Sequence, residues 1–101
     1  MASDTQTFNP AYGTGVTVAP GTTSASVAIS GDGPAIVVTN LSSYIVAYVR
    51  TGTDSATATT ADYPVLPGTQ VSLSKGRYEN RLAYITASGT SSLHIISGRG
   101  M

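Results

Sequence analysis

Apolar and polar positions alternate with period two along most of this chain, and no helical stripe recurs. Val16 and Val18 flank a threonine ahead of Pro20-Gly21. Ala25, Val27 and Ile29 alternate with Ser24, Ser26, Ala28 and Ser30, the pattern of a strand with one solvated face. Gly31-Asp-Gly-Pro34 is a turn signal, followed by the β-branched run Ala35-Ile-Val-Val-Thr39 and a second turn at Asn40-Leu-Ser-Ser43. Residues 24–39 therefore read as a hairpin, with Pro34 at a strand's first position, where proline is tolerated.

Tyr44-Ile-Val-Ala-Tyr-Val49 is the most apolar segment. Both of its faces are apolar, so it predicts a strand covered on both sides, by the core and by a loop, an arm or another subunit. The window from Thr53 to Ala61 is rich in threonine and lacks an apolar stripe, which predicts a loop. Pro64 and Pro67 prevent helix formation through the next stretch, and Gly68 supplies a turn. Thr69-Gln-Val-Ser-Leu-Ser74 then alternates again. Arg81-Leu-Ala-Tyr-Ile-Thr-Ala87 and Ser92-Leu-His-Ile-Ile96, joined by Ser88-Gly-Thr-Ser91, have hairpin spacing.

These segments predict an all-β domain of about seven short strands, a small antiparallel β-sandwich (jelly-roll-like) or a β-barrel. The domain spans residues 16–97. Residues 1–15, with Phe8, Pro10 and Tyr12 amid polar residues, read as an extended N-terminal arm that orders on a surface, and residues 98–101 as a flexible tail.

Charge narrows the function. The formal net charge is zero and 10% of residues are charged, against about 25% in typical domains. Nucleic-acid binding calls for a basic face and polybasic membrane attachment for a basic cluster, so neither partner is expected. No apolar stretch approaches the ~18 residues of a membrane span. The N-terminus has no signal-peptide core, which places synthesis in a cytoplasm. Cysteine is absent, which excludes a disulfide scaffold or thiolate site. A charge-poor surface has little electrostatic protection against association, which points to partners that cover it.

The chemical inventory is thin. His94 is the only histidine and sits mid-strand, with no G-x-S-x-G elbow elsewhere. The carboxylates Asp4, Asp32, Asp54, Asp62 and Glu79 fall in turns or at ends, where Asp serves local backbone hydrogen bonds. Gly31-Asp-Gly33 lacks calcium-loop spacing, one histidine without cysteine does not make a zinc site, and Gly13-Thr-Gly15 precedes no Lys-Ser/Thr pair. No catalytic, cofactor-binding or metal-ligating residue is expected, and the chain reads as non-enzymatic. The cluster Lys75–Arg81 reads as a solvated turn. Asn40-Leu41-Ser42 matches a glycosylation sequon by chance.

The aromatic residues remain. Tyrosine combines apolar area with one polar tip and is enriched at interfaces. Tyr48 and Tyr84 lie in strands and read as core or inter-sheet residues. The interface candidates are Phe8 and Tyr12 in the arm, Tyr44, Tyr63 and Tyr78, and the neighbouring Val65 and Leu66. Exposed tyrosines also suit stacking on sugar rings.

The segment Ser55-Ala-Thr-Ala-Thr-Thr-Ala-Asp-Tyr-Pro-Val-Leu-Pro-Gly-Thr-Gln-Val-Ser-Leu-Ser74 resembles small β-rich virion structural proteins of tailed bacteriophages. Val37–Val49 and Ala83–Ile95 are similar to them in the same way, so the resemblance covers roughly residues 16–97. It implies a capsid decoration or cement protein on the capsid exterior of the virion. Its partners would be the major capsid protein and itself, as a homotrimer, with contacts through the arm and the loop from Thr53 to Gly68. It implies no catalytic residues and no cofactor. A head–tail joining or tail component fits the same features, and a small carbohydrate-binding module is the reading from another class.

Overall fold

The computed structural model describes residues 9–10, 12–29, 35–53, 56–74 and 79–99. Its strands are β1 (Asn9–Pro10), β2 (Val16–Val18), β3 (Ala25–Ala28), β4 (Ala35–Asn40), β5 (Ala47–Gly52), β6 (Tyr63–Val65), β7 (Gln70–Ser74), β8 (Arg81–Thr86) and β9 (Leu93–Arg99). β1 and β2 both pair with β9 and share one edge, so the segments fill eight positions in two antiparallel sheets. One sheet runs β1/β2-β9-β4-β7 and the other β3-β8-β5-β6.

The pairing is nested. β2 pairs with β9, β3 with β8, β4 with β7 and β5 with β6. A strand series folded at its midpoint gives this pattern. Rolling it until β9 meets β4 and β8 meets β5 makes a jelly roll. The sandwich is thus selected over the barrel.

Alternation explains the core. Ile36, Val38, Leu93 and Ile95 from one sheet meet Ala47, Val49, Val65, Leu82 and Tyr84 from the other. Val16, Val18, Val71 and Leu73 pack at its margin.

Both expected hairpins are corrected. β3 and β4 lie in different sheets, as do β8 and β9. Alternation shows which face of a strand is buried but not which sheet carries it, and a short loop can cross a sandwich corner as easily as it reverses. The turn residues 31–34 lie outside the described residues. The apolar segment from Tyr44 enters its sheet only at Ala47. The Tyr44 and Ile45 amides instead donate to Ser42 Oγ, at 3.4 and 3.2 Å. Gly98 and Arg99, read as tail, belong to β9 opposite β1.

The loop after β5 folds back over the outer face of its own sheet. Ala58, fully buried, donates its N–H to Ser24 Oγ beside β3 at 2.8 Å. Asp62 then returns to β5, where its Oδ1 accepts from the Arg50 guanidinium at 2.8 Å and its Oδ2 from the Thr59 amide at 2.8 Å. β8 lies between β3 and β5, so the loop crosses it, and the outward-facing Ala83 of β8 is fully buried. Small residues make this approach possible. A Cβ on Gly52 would sit 2.7 Å from Ala56 Cβ. Gly52→Ala is expected to cost about 1–2 kcal/mol by lifting the loop, read as a lowered urea midpoint. A midpoint equal to wild type would mean that the loop is not held against the sheet.

Candidate binding surface at one end of the sandwich

Asn40 organises one end of the jelly roll. It closes β4, is 1% exposed, and uses its whole amide. Nδ2 donates to Ile45 O at 2.9 Å and to Val65 O at 2.8 Å. Oδ1 accepts from the Ser42 amide and from Ser91 Oγ, each at 2.9 Å. Its backbone N–H donates to Thr69 O and its carbonyl accepts from the Gly68 amide. Loops 41–46, 66–69 and 87–92 thus converge on one buried residue, the first and last through its side chain and the second through its backbone. The Ser42 contact is an Asx turn, legible in Asn-Leu-Ser. The contacts to Val65 and Ser91 span many residues and have no sequence signal. A side chain so enclosed cannot serve as a glycan acceptor, which accords with reading the sequon as chance.

The exposed apolar side chains concentrate at this fixed end. Leu41 is 57% exposed, Tyr44 81% and Leu66 55%, with Tyr63 at 51% on the adjoining edge strand β6. Tyr44 also rims a groove of about 230 Å³ formed with Ile45, Val46, Tyr48, Ala87 and Ser88. No charged residue lines it. The strands are held by the core and the loops by Asn40, so the backbone that carries these side chains need not be ordered anew when they bind.

The expected interface residues divide. Tyr44, Tyr63 and Leu66 are exposed together at this end or beside it. Tyr12 is 84% exposed but lies in the segment between β1 and β2, away from Leu41, Tyr44 and Leu66. Val65 is corrected: it is fully buried in the core, because β6 alternates and turns Val65 inward. Phe8 and Tyr78 lie outside the described residues. The loop from Thr53 to Gly68 is also divided, its part around Ala58 packing on its own sheet while Leu66 faces out. Leu41 was missed, since one leucine in a polar turn carries no period. Tyr84 is core, whereas Tyr48 is half-buried on the outer face.

No catalytic constellation forms among the described residues. His94 points away from the core in β9, and its cross-strand neighbours are Thr17 and Thr39. Asp62 is bound to Arg50 and the loop backbone. No group of three or more His, Cys, Asp and Glu side chains gathers among the described residues, and none of their helices is long and apolar enough to cross a membrane.

The site and fold together define a class: a small jelly-roll domain with exposed apolar side chains crowning one end. No family model, curated protein or solved structure matches the chain.

Proposed function

We propose that this protein is a non-enzymatic virion component, a capsid decoration or cement protein that binds the assembled head and stabilises contacts between major capsid proteins. The observation that carries the reading is the crown of Leu41, Tyr44 and Leu66. Three large apolar side chains face solvent on loops fixed by Asn40, in a chain with few charges to keep surfaces apart. The jelly roll is an architecture of capsid and lectin domains, which supports the same reading. Such a protein acts by mass action: binding the assembled shell and not the free subunit stabilises the shell, and many symmetric copies multiply a modest affinity.

The test is cosedimentation with shells assembled from the major capsid protein of the same genome. Wild-type protein is expected to pellet with shells and to leave unassembled subunits unbound. The triple variant Leu41→Ser, Tyr44→Ser, Leu66→Ser should bind at least ten-fold more weakly while keeping its circular dichroism spectrum. Wild-type protein left in the supernatant would end the capsid reading.

One observation favours a second reading. The groove between Tyr44 and Tyr48 offers aromatic surface and the Ser88 hydroxyl without charge, which suits a neutral sugar ring. Titration with neutral oligosaccharides would then change tyrosine fluorescence, and Tyr44→Ala would abolish the change. An unresponsive wild-type protein would remove this reading.

A further inference from the structure

A jelly roll made of two open sheets has four strand edges, and each needs protection from pairing with another chain. Three are protected here. β6 carries Pro64, which has no N–H to offer. The β1/β2 edge carries Pro10 and is broken between Pro10 and Val16. On β3, the Arg81 guanidinium occupies Ser26 Oγ at 2.9 Å and Ser26 O at 3.3 Å.

β7 has no such device. Gln70-Val-Ser-Leu-Ser74 contains no proline, charge or break, and among the described residues it pairs only with β4. Its free backbone groups can be assigned. Asn40 donates its N–H to Thr69 O on the β7 side, and Leu41 donates to Ser92 O on the β9 side. Backbone groups alternate in direction along a strand, so Ile36 and Val38 bond toward β7 and Val37 bonds toward β9. Their partners Leu73 and Val71 therefore face β4, whereas Ser72, opposite Val37, turns its N–H and C=O away from the sheet with Gln70 and Ser74.

We propose that β7 is a self-association edge and that its occupant is β7 of a second copy, antiparallel about a two-fold axis at Ser72. The sequence is self-complementary in this register. Ser72 faces Ser72 of the partner, with both sets of backbone groups pointing across the axis. Gln70 faces Ser74. Val71 faces Leu73 on the inner side, where both are half-exposed in the single chain. No charges oppose one another anywhere along the pair. Exposed Tyr63 and Leu66 flank this side, because β6 and β7 are consecutive edges joined by the turn at residues 66–69. The contact joins the two four-position sheets into one continuous sheet. It does not depend on the capsid reading, and it links two copies whether or not each also belongs to a threefold cluster.

The test is solution mass by light scattering behind a sizing column. Ser72→Pro removes an outward N–H and leaves the β4 ladder intact, so it is expected to halve the wild-type mass with an unchanged circular dichroism spectrum. Should the proline variant fail to fold, Ser72→Lys and Ser72→Glu answer the same question, since the side chain at 72 is exposed. Each alone sets like charges across the axis and should also halve the mass. Mixed in equal amounts, they should regain the wild-type mass as a one-to-one pair that high salt weakens. Masses that match wild type in all these variants would overturn the proposal. So would halved masses without recovery in the mixture, since β7 would then dock on a different edge.

Discussion

Replacing Asn40 with alanine is expected to lower the unfolding free energy by about 3–4 kcal/mol, a large share of the roughly 5–15 kcal/mol of a typical domain. The amide is small, but its removal leaves Val65 O and the Ser42 amide without their partner, and leaves Ile45 O and Ser91 Oγ only their longer 3.3 Å contact with each other. A buried polar group left unpaired costs about 1–3 kcal/mol, and partial rehydration of the loops keeps the total below the sum. Asn40→Asp is a sharper probe. It turns a carboxylate toward two carbonyl oxygens, and burial together with those carbonyls raises the carboxyl pKa in the folded state. A raised acid pKa destabilises the folded state above the unfolded value and not below it. The deficit of Asn40→Asp should therefore be largest at neutral pH and shrink as pH falls toward about 4, whereas that of Asn40→Ala should be flat over the same range. Urea unfolding of both variants at several pH values provides the measurement. A pH-independent Asn40→Asp would mean that the side chain is not enclosed as described.

Val65→Ser and Leu66→Ser should differ widely although the residues are adjacent. Val65 is fully buried, so serine there removes apolar contacts and buries a hydroxyl, at a cost of about 3 kcal/mol. Leu66 is more than half exposed, and its backbone carbonyl, which accepts the Thr69 hydroxyl at 2.6 Å, is untouched by the change. Its substitution should stay within ~0.5 kcal/mol. In shell binding the order reverses: Leu66→Ser is expected to weaken cosedimentation, and any effect of Val65→Ser should follow from its stability. Denaturation midpoints of the two proteins decide the first part. Equal midpoints would contradict the inward turn of Val65.

Particular residues show what could be read in advance. The strand from Ala35 to Thr39 was legible from its β-branched run, as were the turn at Gly68 and the loop nature of residues 56–61. Val65 was misplaced because Tyr63-Pro-Val-Leu66 is too short for its period to emerge: Val65 and Leu66 are equally apolar, and only pairing with Ala47 turns Val65 inward. The crown was half legible. Tyr44, which the sequence places in a strand, and Leu66, which it places in a loop, are both expected at an interface, but nothing local joins Leu66 to the loop of Leu41 and Tyr44, because the link is Asn40 reaching across the chain to Val65 O.

The sequence by itself determined that this protein is all-β, because period-two alternation and turn residues are local properties of a few neighbouring side chains. It also determined that the chain has no formal net charge, few charged residues and a thin chemical inventory, since composition does not depend on folding. Tertiary structure alone decided which strands share a sheet, that the loop after β5 covers its own sheet, and which apolar residues remain outside. Those outcomes depend on pairing between segments far apart in the chain. Identical alternation serves either sheet, and the choice follows from how the whole series rolls up to bury both inner faces at once.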